Sequence, residues 1–445
     1  MNLKTFSKGG VHPPENKYSA GQKIEILPPP AMATIPLSQH LGTPAKVMVK
    51  RGDEVKVGQL IAKSGGFVST NIHSSVSGKV QKVDLFPDNS GYRRQAVQIR
   101  VEGDEWLPEI DRSEDLVRNT VLSPNDIRKK ILDAGIVGLG GATFPSHVKL
   151  MVPGGKKAEY LLINGVECEP YLTADHALMM ERSEELLAGI QTLMTGLGVE
   201  KAIIGIENNK PDAIERMSEV AKGSKVSVQA LKVKYPQGGE KQLVQALLKR
   251  EVPSGGLPIN VGAVVFNVGT AFAAYEAVMK NRPLVDRIVT VTGKSLSRPC
   301  NLQVRIGTPV ADLIEKAGGL PGDTAKVING GPMMGKALSS LEVPVVKGSS
   351  GILLLSEQEA SRREAETCIR CSKCISVCPM GLEPYLLMSL AKRNRIEEME
   401  AEQVMDCIEC GSCSYSCPAA RPLLDYIRLG KSELGKIIRA RKSDH

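Results

Sequence analysis

The feature that most constrains this chain is a pair of cysteine runs with identical internal spacing. The first reads Cys368-x-x-Cys371-x-x-Cys374-x-x-x-Cys378-Pro379, and the second Cys407-x-x-Cys410-x-x-Cys413-x-x-x-Cys417-Pro418; together they hold eight of the ten cysteines. A cubane of four irons and four sulfides needs four thiolates. A C-x-x-C-x-x-C loop wraps three of them round one cluster, while the remote fourth cysteine of each run reaches the other cluster. The spacing therefore predicts one 4Fe-4S cluster on Cys368, Cys371, Cys374 and Cys417, and a second on Cys407, Cys410, Cys413 and Cys378. Pro379 and Pro418 follow the crossing ligands and turn the chain away. Cysteines three apart make a poor disulfide framework, and structural zinc calls for paired knuckles rather than a triple run.

At 445 residues the chain is too long for one core, and about three or four domains are expected. Hydrophobic content of 42% against 24% charged residues is that of a globular protein. No run of about 18 apolar residues occurs, and the start Met1-Asn2-Leu3-Lys4 carries no cleavable apolar core. No membrane span of its own is expected. The net charge of +8 is spread along the chain and aromatic residues make up only 4%, which gives no support to nucleic-acid binding. The basic end, Lys436 to Lys442 with Arg439 and Arg441, reads as a solvated tail.

Residues 1–42 are rich in proline, with Pro13-Pro14, Pro28-Pro29-Pro30 and Pro36, and are expected to lie extended over a neighbouring domain. From 43 to 105 short β runs with glycine turns indicate a small sandwich or barrel, including Val57-Gly58-Gln59-Leu-Ile-Ala62 and Val76-Ser-Gly78-Lys-Val80. These runs resemble the barrel-sandwich hybrid of biotinyl and lipoyl carriers. The turn Gly65-Gly66-Phe67-Val68-Ser69 lacks the carrier lysine, so the module is expected to be structural. His73 is expected to be a hydrogen-bonded surface histidine. A helix should start at Ser123-Pro124-Asn125-Asp126, with serine as N-cap and proline first inside, and stop at Gly135.

Next comes Gly138-Leu139-Gly140-Gly141-Ala142-Thr143-Phe144-Pro145, with Lys149 shortly after. Closely spaced glycines let backbone N–H groups approach an anionic or planar ligand, and a nearby lysine neutralises phosphate. Beyond it, strands at 160–164, 201–207 and 226–233 alternate with helices at about 181–196, 211–222 and 240–249. That alternation predicts a largely parallel, Rossmann-like sheet with ligands at the strand carboxyl ends. The segment Asn164-Gly165-Val166-Glu167-Cys168-Glu169-Pro170 falls at that edge, where Glu167 and Glu169 are candidates for ribose hydroxyls or a flavin. Cys168 reads as a reduced structural thiol.

These segments are similar to the flavin-bearing, NADH-binding subunit of respiratory complex I, whose loop G-R-G-G-A-G-F-P-x-x-x-K and segment N-A-D-E-S-E-P surround FMN and NADH. The matching positions are Gly138, Gly140, Gly141, Ala142, Phe144 and Lys149, then Asn164, Glu167 and Glu169. Tyr235-Pro-Gln-Gly238-Gly239-Glu240-Lys241 resembles the family's Y-x-C-G-E-E, and Asn267-Val-Gly-Thr270 its N-V-E-T. The resemblance makes Glu240 and Asn267 cofactor-binding residues as well. This chain departs from it at Leu139, Thr143, Val166 and Lys241. The unit at 284–350, with Ile288 to Gly293 and Asn329-Gly330-Gly331-Pro332-Met333-Met334-Gly335, resembles the β-grasp (soluble ligand binding) module found in the same part of complex I.

With the opening Phe6-Ser-Lys-Gly9-Gly10-Val-His12-Pro13-Pro14, the order of modules resembles the RnfC family, which belongs to the Rnf ion-translocating electron transport complexes. The implied architecture is multidomain α/β and α+β. It comprises an extended segment (1–42), a barrel-sandwich hybrid (43–105), an NADH/FMN-binding α/β domain (115–283), a β-grasp unit (284–350) and a helical two-cluster ferredoxin-like domain (358–435). The implied cofactors are FMN, NAD(H) and two 4Fe-4S clusters. The cofactors carry the hydride transfer, so no residue is assigned a catalytic role of its own. The resemblance implies a peripheral subunit on the cytoplasmic side of the cell membrane, passing electrons between NADH and other Rnf subunits, an iron-sulfur subunit among them, with ferredoxin an indirect partner. Two other readings stand beside it: a soluble flavin and iron-sulfur reductase donating to a partner enzyme, and a wiring subunit with a vestigial nucleotide site.

Overall fold

The structure, a computed structural model, describes residues 3–443; Met1 and Asn2 at the start, and the side chain of Lys442 in the basic end, lie outside the described residues. The proline-rich opening is extended, and it also supplies two edge strands. Strand β1 (Ile24–Ile26) and strand β2 (Met32–Pro36) come first. They are followed by β3 (Lys46–Val47), β4 (Glu54–Val55), β5 (Leu60–Lys63), β6 (Ile72–His73), β7 (Gly78–Pro87) and β8 (Arg93–Val101). Two small sheets, β2-β8-β7-β4 and β3-β5-β6, pack together over Ile35, Val55, Ile61, Ile72, Val80, Val97 and Ile99. The boundary expected at residue 43 therefore cuts through a sheet. A proline-containing strand can lie at a sheet edge because nothing there requires its missing N–H. His73 is not at the surface: it is buried in β6, and burial depresses its pKa to about 3, so the ring is neutral.

The next unit begins with α1 (Pro124–Asp133), capped by Ser123, which accepts from Asp126 N, and closed by Gly135 at φ 71°. It continues with α2 (Ser146–Lys149), β9 (Tyr160–Asn164), α3 (Ala174–Glu181), α4 (Ser183–Leu197), β10 (Ala202–Glu207), α5 (Pro211–Val220), β11 (Val226–Leu231), α6 (Glu240–Leu248), β12 (Ala263–Asn267) and α7 (Val268–Met279). All four strands are parallel, in the order β11-β10-β9-β12. Leu161-Leu-Ile163 and Ala263-Val-Val-Phe266 are apolar throughout because helices cover both faces. The chain runs outward from β9 through β10 to β11 and then returns to the other side of β9. The order reverses between β9 and β12, where Asn164 and Asn267 are paired in register. In open α/β sheets the ligand crevice forms at such a reversal.

A six-stranded mixed sheet follows, in the order β1-β14-β13-β17-β15-β16. Its strands are β13 (Asp286–Thr292), β14 (Cys300–Arg305), β15 (Thr324–Asn329), β16 (Lys336–Ala337) and β17 (Gly351–Ser356), with α8 (Val310–Lys316) packed on it. Strand β17 lies between β13 and β15, so this unit extends past the expected limit at residue 350. Lys347 joins it to two other domains: its buried ammonium donates to the carbonyls of Asn71 (2.9 Å) and Gly135 (2.6 Å). After α9 (Glu357–Ala360) the chain ends in helices α10 (Lys373–Ser376), α11 (Pro384–Lys392), α12 (Ile396–Ala401), α13 (Ser412–Tyr415) and α14 (Leu423–Ser443). Among the described residues no helix is long and apolar enough to cross a membrane.

Candidate functional site

The two cysteine runs fold alike. Each C-x-x-C-x-x-C loop turns through left-handed residues at equivalent positions, Arg370 and Ser372 (φ 56° and 58°) in one and Glu409 and Gly411 (φ 57° and 79°) in the other, and then enters a one-turn helix, α10 or α13. Three of these four are not glycine, and such strain persists where a loop is fixed by what it must present. Cys378, Cys407, Cys410 and Cys413 line one cavity, walled otherwise by apolar side chains such as Leu382, Leu387, Ile408, Leu424 and Ile427. This is the set that the spacing predicts for the second cluster. Burial raises the Cys407 thiol to about 11 and the Cys413 thiol to about 12, and the neighbouring cysteine sulfurs push Cys413 up further. Four thiols lining an apolar cavity favour binding a cationic group that accepts them as thiolates. Among the described residues no three His, Cys, Asp or Glu side chains converge as a single-ion site requires, whereas a cubane needs its thiols spread around a larger body. Of the other four cysteines, Cys374 and Cys417 are half-buried neighbours, while Cys368 and Cys371 are exposed.

At the carboxyl edge of the parallel sheet the glycine loop closes on itself, Gly138 N donating to Phe144 O and Thr143 N to Gly138 O. Gly140 lies against Asn267, where a Cβ would make ordinary contact with that residue's own Cβ at 3.4 Å. Gly141, at φ +106°, faces open space. Ala142 lies between these closures, and the half-buried Phe144 leads into α2. The carboxamide of Asn164 accepts from Val166 N (3.1 Å) and donates to Gly238 O (2.9 Å). Asn267 caps α7 by accepting from Gly269 N and donates to Asp175 (2.6 Å). Lys149 donates to Glu240 (2.6 Å) and to Val265 O (2.8 Å). The fold thus gathers the glycine loop, Lys149, Asn164, Glu240 and Asn267 at the reversal of strand order.

Glu167 and Glu169 stand apart from this group because backbone N–H groups already occupy them. The Glu167 carboxylate accepts from Asp175 N (2.8 Å) and His176 N (3.2 Å) at the start of α3. Glu169 points to the six-stranded unit, accepting from Met333 N (3.1 Å) and Met334 N (2.8 Å); burial pushes its pKa up to about 7. Cys168 is a thiol raised by burial, and its sulfur accepts from Gly238 N.

Two residues that pattern reading passes over, Lys17 and Arg287, and two that it names without a structural role, Lys241 and Tyr235, border the site. Lys17 donates to the carbonyls of Glu167, Glu169 and Leu172, which places the opening segment beneath the Asn164 loop. Arg287, buried on β13, lies at the Leu139 carbonyl and close to Gly269, so a cation stands beside the position where leucine replaces the complex I arginine. Lys241, where the resemblance has an acid, pairs with Asp406 (3.5 Å) and helps dock the cysteine domain. Tyr235 donates to Cys410 O (2.8 Å) across the same seam. A lone lysine in a proline-rich tract, or an arginine inside a β run, carries no local pattern to mark it.

Four family models match in chain order: the RnfC barrel sandwich hybrid domain at 4–104, the Nuo51 FMN-binding domain at 131–276, the SLBB domain at 288–337 and a 4Fe-4S dicluster domain at 360–421. Among curated relatives, the C component of the proton-translocating ferredoxin:NAD(+) oxidoreductase complex of Clostridium ljungdahlii is 49% identical over 97% of this chain and 94% of its own length. The Na(+)-translocating counterpart of Acetobacterium woodii is 44% identical over 98% of each chain, and the C component of the ion-translocating oxidoreductase complex of Rhodobacter capsulatus 42% over 98% of this chain and 84% of its own. A chain of NAD+-reducing [NiFe]-hydrogenase superposes with a TM-score of 0.50 at 19% identity, covering 70% of this chain and 63% of the other, which is a likeness of fold. With its domains matched in order and relatives this similar along nearly its whole length, the chain belongs to the RnfC family of ion-translocating ferredoxin:NAD(+) oxidoreductase complexes.

Proposed function

We propose that this chain is the peripheral NADH-oxidising or NAD-reducing subunit of a membrane Rnf complex. It exchanges hydride with NAD(H) at the Asn164–Asn267 crevice and passes single electrons through two 4Fe-4S clusters to an iron-sulfur partner subunit, with ferredoxin beyond it. The observation that carries this reading is the direct seam between the two sites: Tyr235, next to the Gly238–Glu240 turn at the crevice, hydrogen-bonds Cys410 of the four-cysteine cavity. FMN, when bound, supplies the needed chemistry, taking two electrons as hydride and releasing them one at a time, which is all a cluster accepts.

The protein's part is placement. The glycine loop offers backbone N–H groups and, at Gly141, open room for a planar or anionic group. Lys149 supplies a cation to phosphate by exchanging its bond with Glu240, and Arg287 takes the place of the arginine missing at 139. Cys378, Cys407, Cys410 and Cys413 hold the cluster next to the crevice, and Cys368, Cys371, Cys374 and Cys417 hold the outer one, whose exposed thiols mark the exit. Glu167 and Glu169 shape the crevice loop through their backbone bonds rather than by touching cofactor. In finer terms the α/β unit is Rossmann-like by its parallel order and the six-stranded unit is a β-grasp variant. Without a span of its own among the described residues, the chain would sit on the cytoplasmic face of the membrane, docked on its partner subunits.

Anaerobically purified protein is expected to carry flavin and about eight irons, the content of two cubanes, and to lose its flavin absorbance on adding NADH. Intact clusters with no flavin and no response to NADH would sink the reading.

A further inference from the structure

The opening Gly9-Gly10-Val11 has no binding role above, yet it lies along the seam between the crevice and the buried cysteine cavity. Val11 exchanges both backbone hydrogen bonds with Tyr235, each 2.8 Å, and Gly10 N donates to Val377 O at 2.9 Å. Gly9 has φ +66°, and a Cβ there would stand 2.5 Å from both the carbonyl carbon and the oxygen of Cys378, the crossing cysteine. Gly10 has φ +94°, and its Cβ would meet Lys234 Cε at 2.5 Å and Phe6 Cζ at 2.9 Å. At Gly9 the left-handed conformation comes with a close backbone approach that only glycine allows, whereas at Gly10 the nearest neighbours are side-chain atoms and the left-handed conformation is what favours glycine. On one side of this point Lys232 N donates to Lys4 O, anchoring the segment at the end of β11; on the other, Lys17 holds three carbonyls of the crevice loop. Val11 and Tyr235 pack with Cys410, and Met333 and Val377 complete the cluster.

One continuous strap therefore ties the crevice loop, the Tyr235 turn and the Cys378 turn together. We infer that this strap fixes the spacing between the flavin site and the buried cluster, and that Gly9 and Gly10 are positioning residues for electron transfer across the seam. The inference rests on the function proposed above. No bond to the protein forms or breaks: each crossing oxidises the flavin by one electron and reduces the cluster by one. NADH is the reductant, and the flavin proton leaves to solvent. Electron transfer between two held groups weakens steeply with the distance between them, so the seam is where a small displacement tells most.

The test uses the full chain carrying Gly9→Val, and separately Tyr235→Phe, which removes the hydroxyl that bonds Cys410 O and also meets the Glu169 carboxyl, and adds no backbone strain. Five quantities are read: iron content, flavin content, the rate of flavin bleaching by NADH, the rate of cluster reduction by NADH from freeze-quenched paramagnetic spectra, and hydrogen exchange at the Val11 and Tyr235 amides before cofactor loading. For Gly9→Val the expected result is faster exchange at both amides, unchanged iron, flavin and bleaching, and cluster reduction slowed severalfold. Dithionite should reduce the clusters as in the parent. Tyr235→Phe should slow the same step less, and it decides the matter if Gly9→Val fails to fold. Unslowed cluster reduction with a freed strap overturns the inference. So does loss of iron, which would make the strap part of the cavity itself, or slowed bleaching, which would make it part of the nucleotide site. A parent protein that NADH does not bleach refutes the proposed function instead, and the exchange data still report whether the strap holds the seam.

Discussion

Glu169 is a buried acid on the loop that follows β9. As an acid in a loop at the sheet edge it reads as a ligand for hydroxyls, but its buried carboxylate takes the N–H groups of Met333 and Met334 and so pins the crevice loop to the six-stranded unit. Burial outweighs those two bonds, the nearby Lys17 charge and the Tyr235 hydroxyl, and raises its pKa from 4.5 to about 7. A carboxyl whose folded pKa is raised binds its proton more tightly in the folded state. Its contribution to stability is fully present below about pH 4.5 and is lost as pH rises through about 7. Glu169→Gln removes that titration. The stability of the parent relative to the variant should therefore fall by up to about 3 kcal/mol between pH 5 and pH 8. Thermal midpoints of both proteins across that range give the measurement, and a difference that does not vary with pH would contradict it.

At the scale of elements, legibility depends on whether the signal is local. The Ser123-Pro124-Asp126 start of α1, the alternation from β9 to α6 and the paired cysteine runs are contained in a few consecutive residues each, and the structure carries them close to the expected bounds. Strands β1 and β2 take their partners, β14 and β8, from far along the chain, so nothing in a proline-rich tract announces them. The neutral, buried state of His73 is hidden for a related reason: its cover comes from two other domains, near Asp133 and Lys347. Strand β17 escapes pattern reading because Gly351-Ile-Leu-Leu-Leu-Ser356 is too short and uniformly apolar to show a period. Its place between β13 and β15 yields a direct prediction. Leu353 is fully buried there, so Leu353→Ala should cost about 2–5 kcal/mol in denaturant unfolding, the range for a truncated core leucine. A loss under about 0.5 kcal/mol, as for a surface change, would return the segment to a linker.

Across the whole molecule the two cysteine groups are unequal, although their sequences are near copies. The group around Cys378 is enclosed and tied to the crevice through Tyr235, Gln242 and the Lys241–Asp406 pair. The group around Cys371 lies outward, with Cys368, Ile369 and Cys371 exposed. A one-electron relay between an interior crevice and an external partner needs that inequality, because electrons must enter by a covered cluster and leave by one a partner can approach. The proposed crossing of the fourth ligands makes the order testable. On the ligand sets proposed above, Cys378→Ala would take a ligand from the inner cluster although Cys378 belongs to the first run, and Cys371→Ala would take one from the outer cluster. Each variant should lose iron from one cluster and keep the paramagnetic signal of the other. With Cys371→Ala, NADH should still reduce the remaining cluster while transfer to the partner subunit stops. With Cys378→Ala, NADH should bleach the flavin while the remaining outer cluster stays oxidised. If Cys378→Ala instead leaves the outer cluster readily reduced by NADH, electrons reach it without passing the buried site, and the seam at Tyr235 is a structural joint rather than the route.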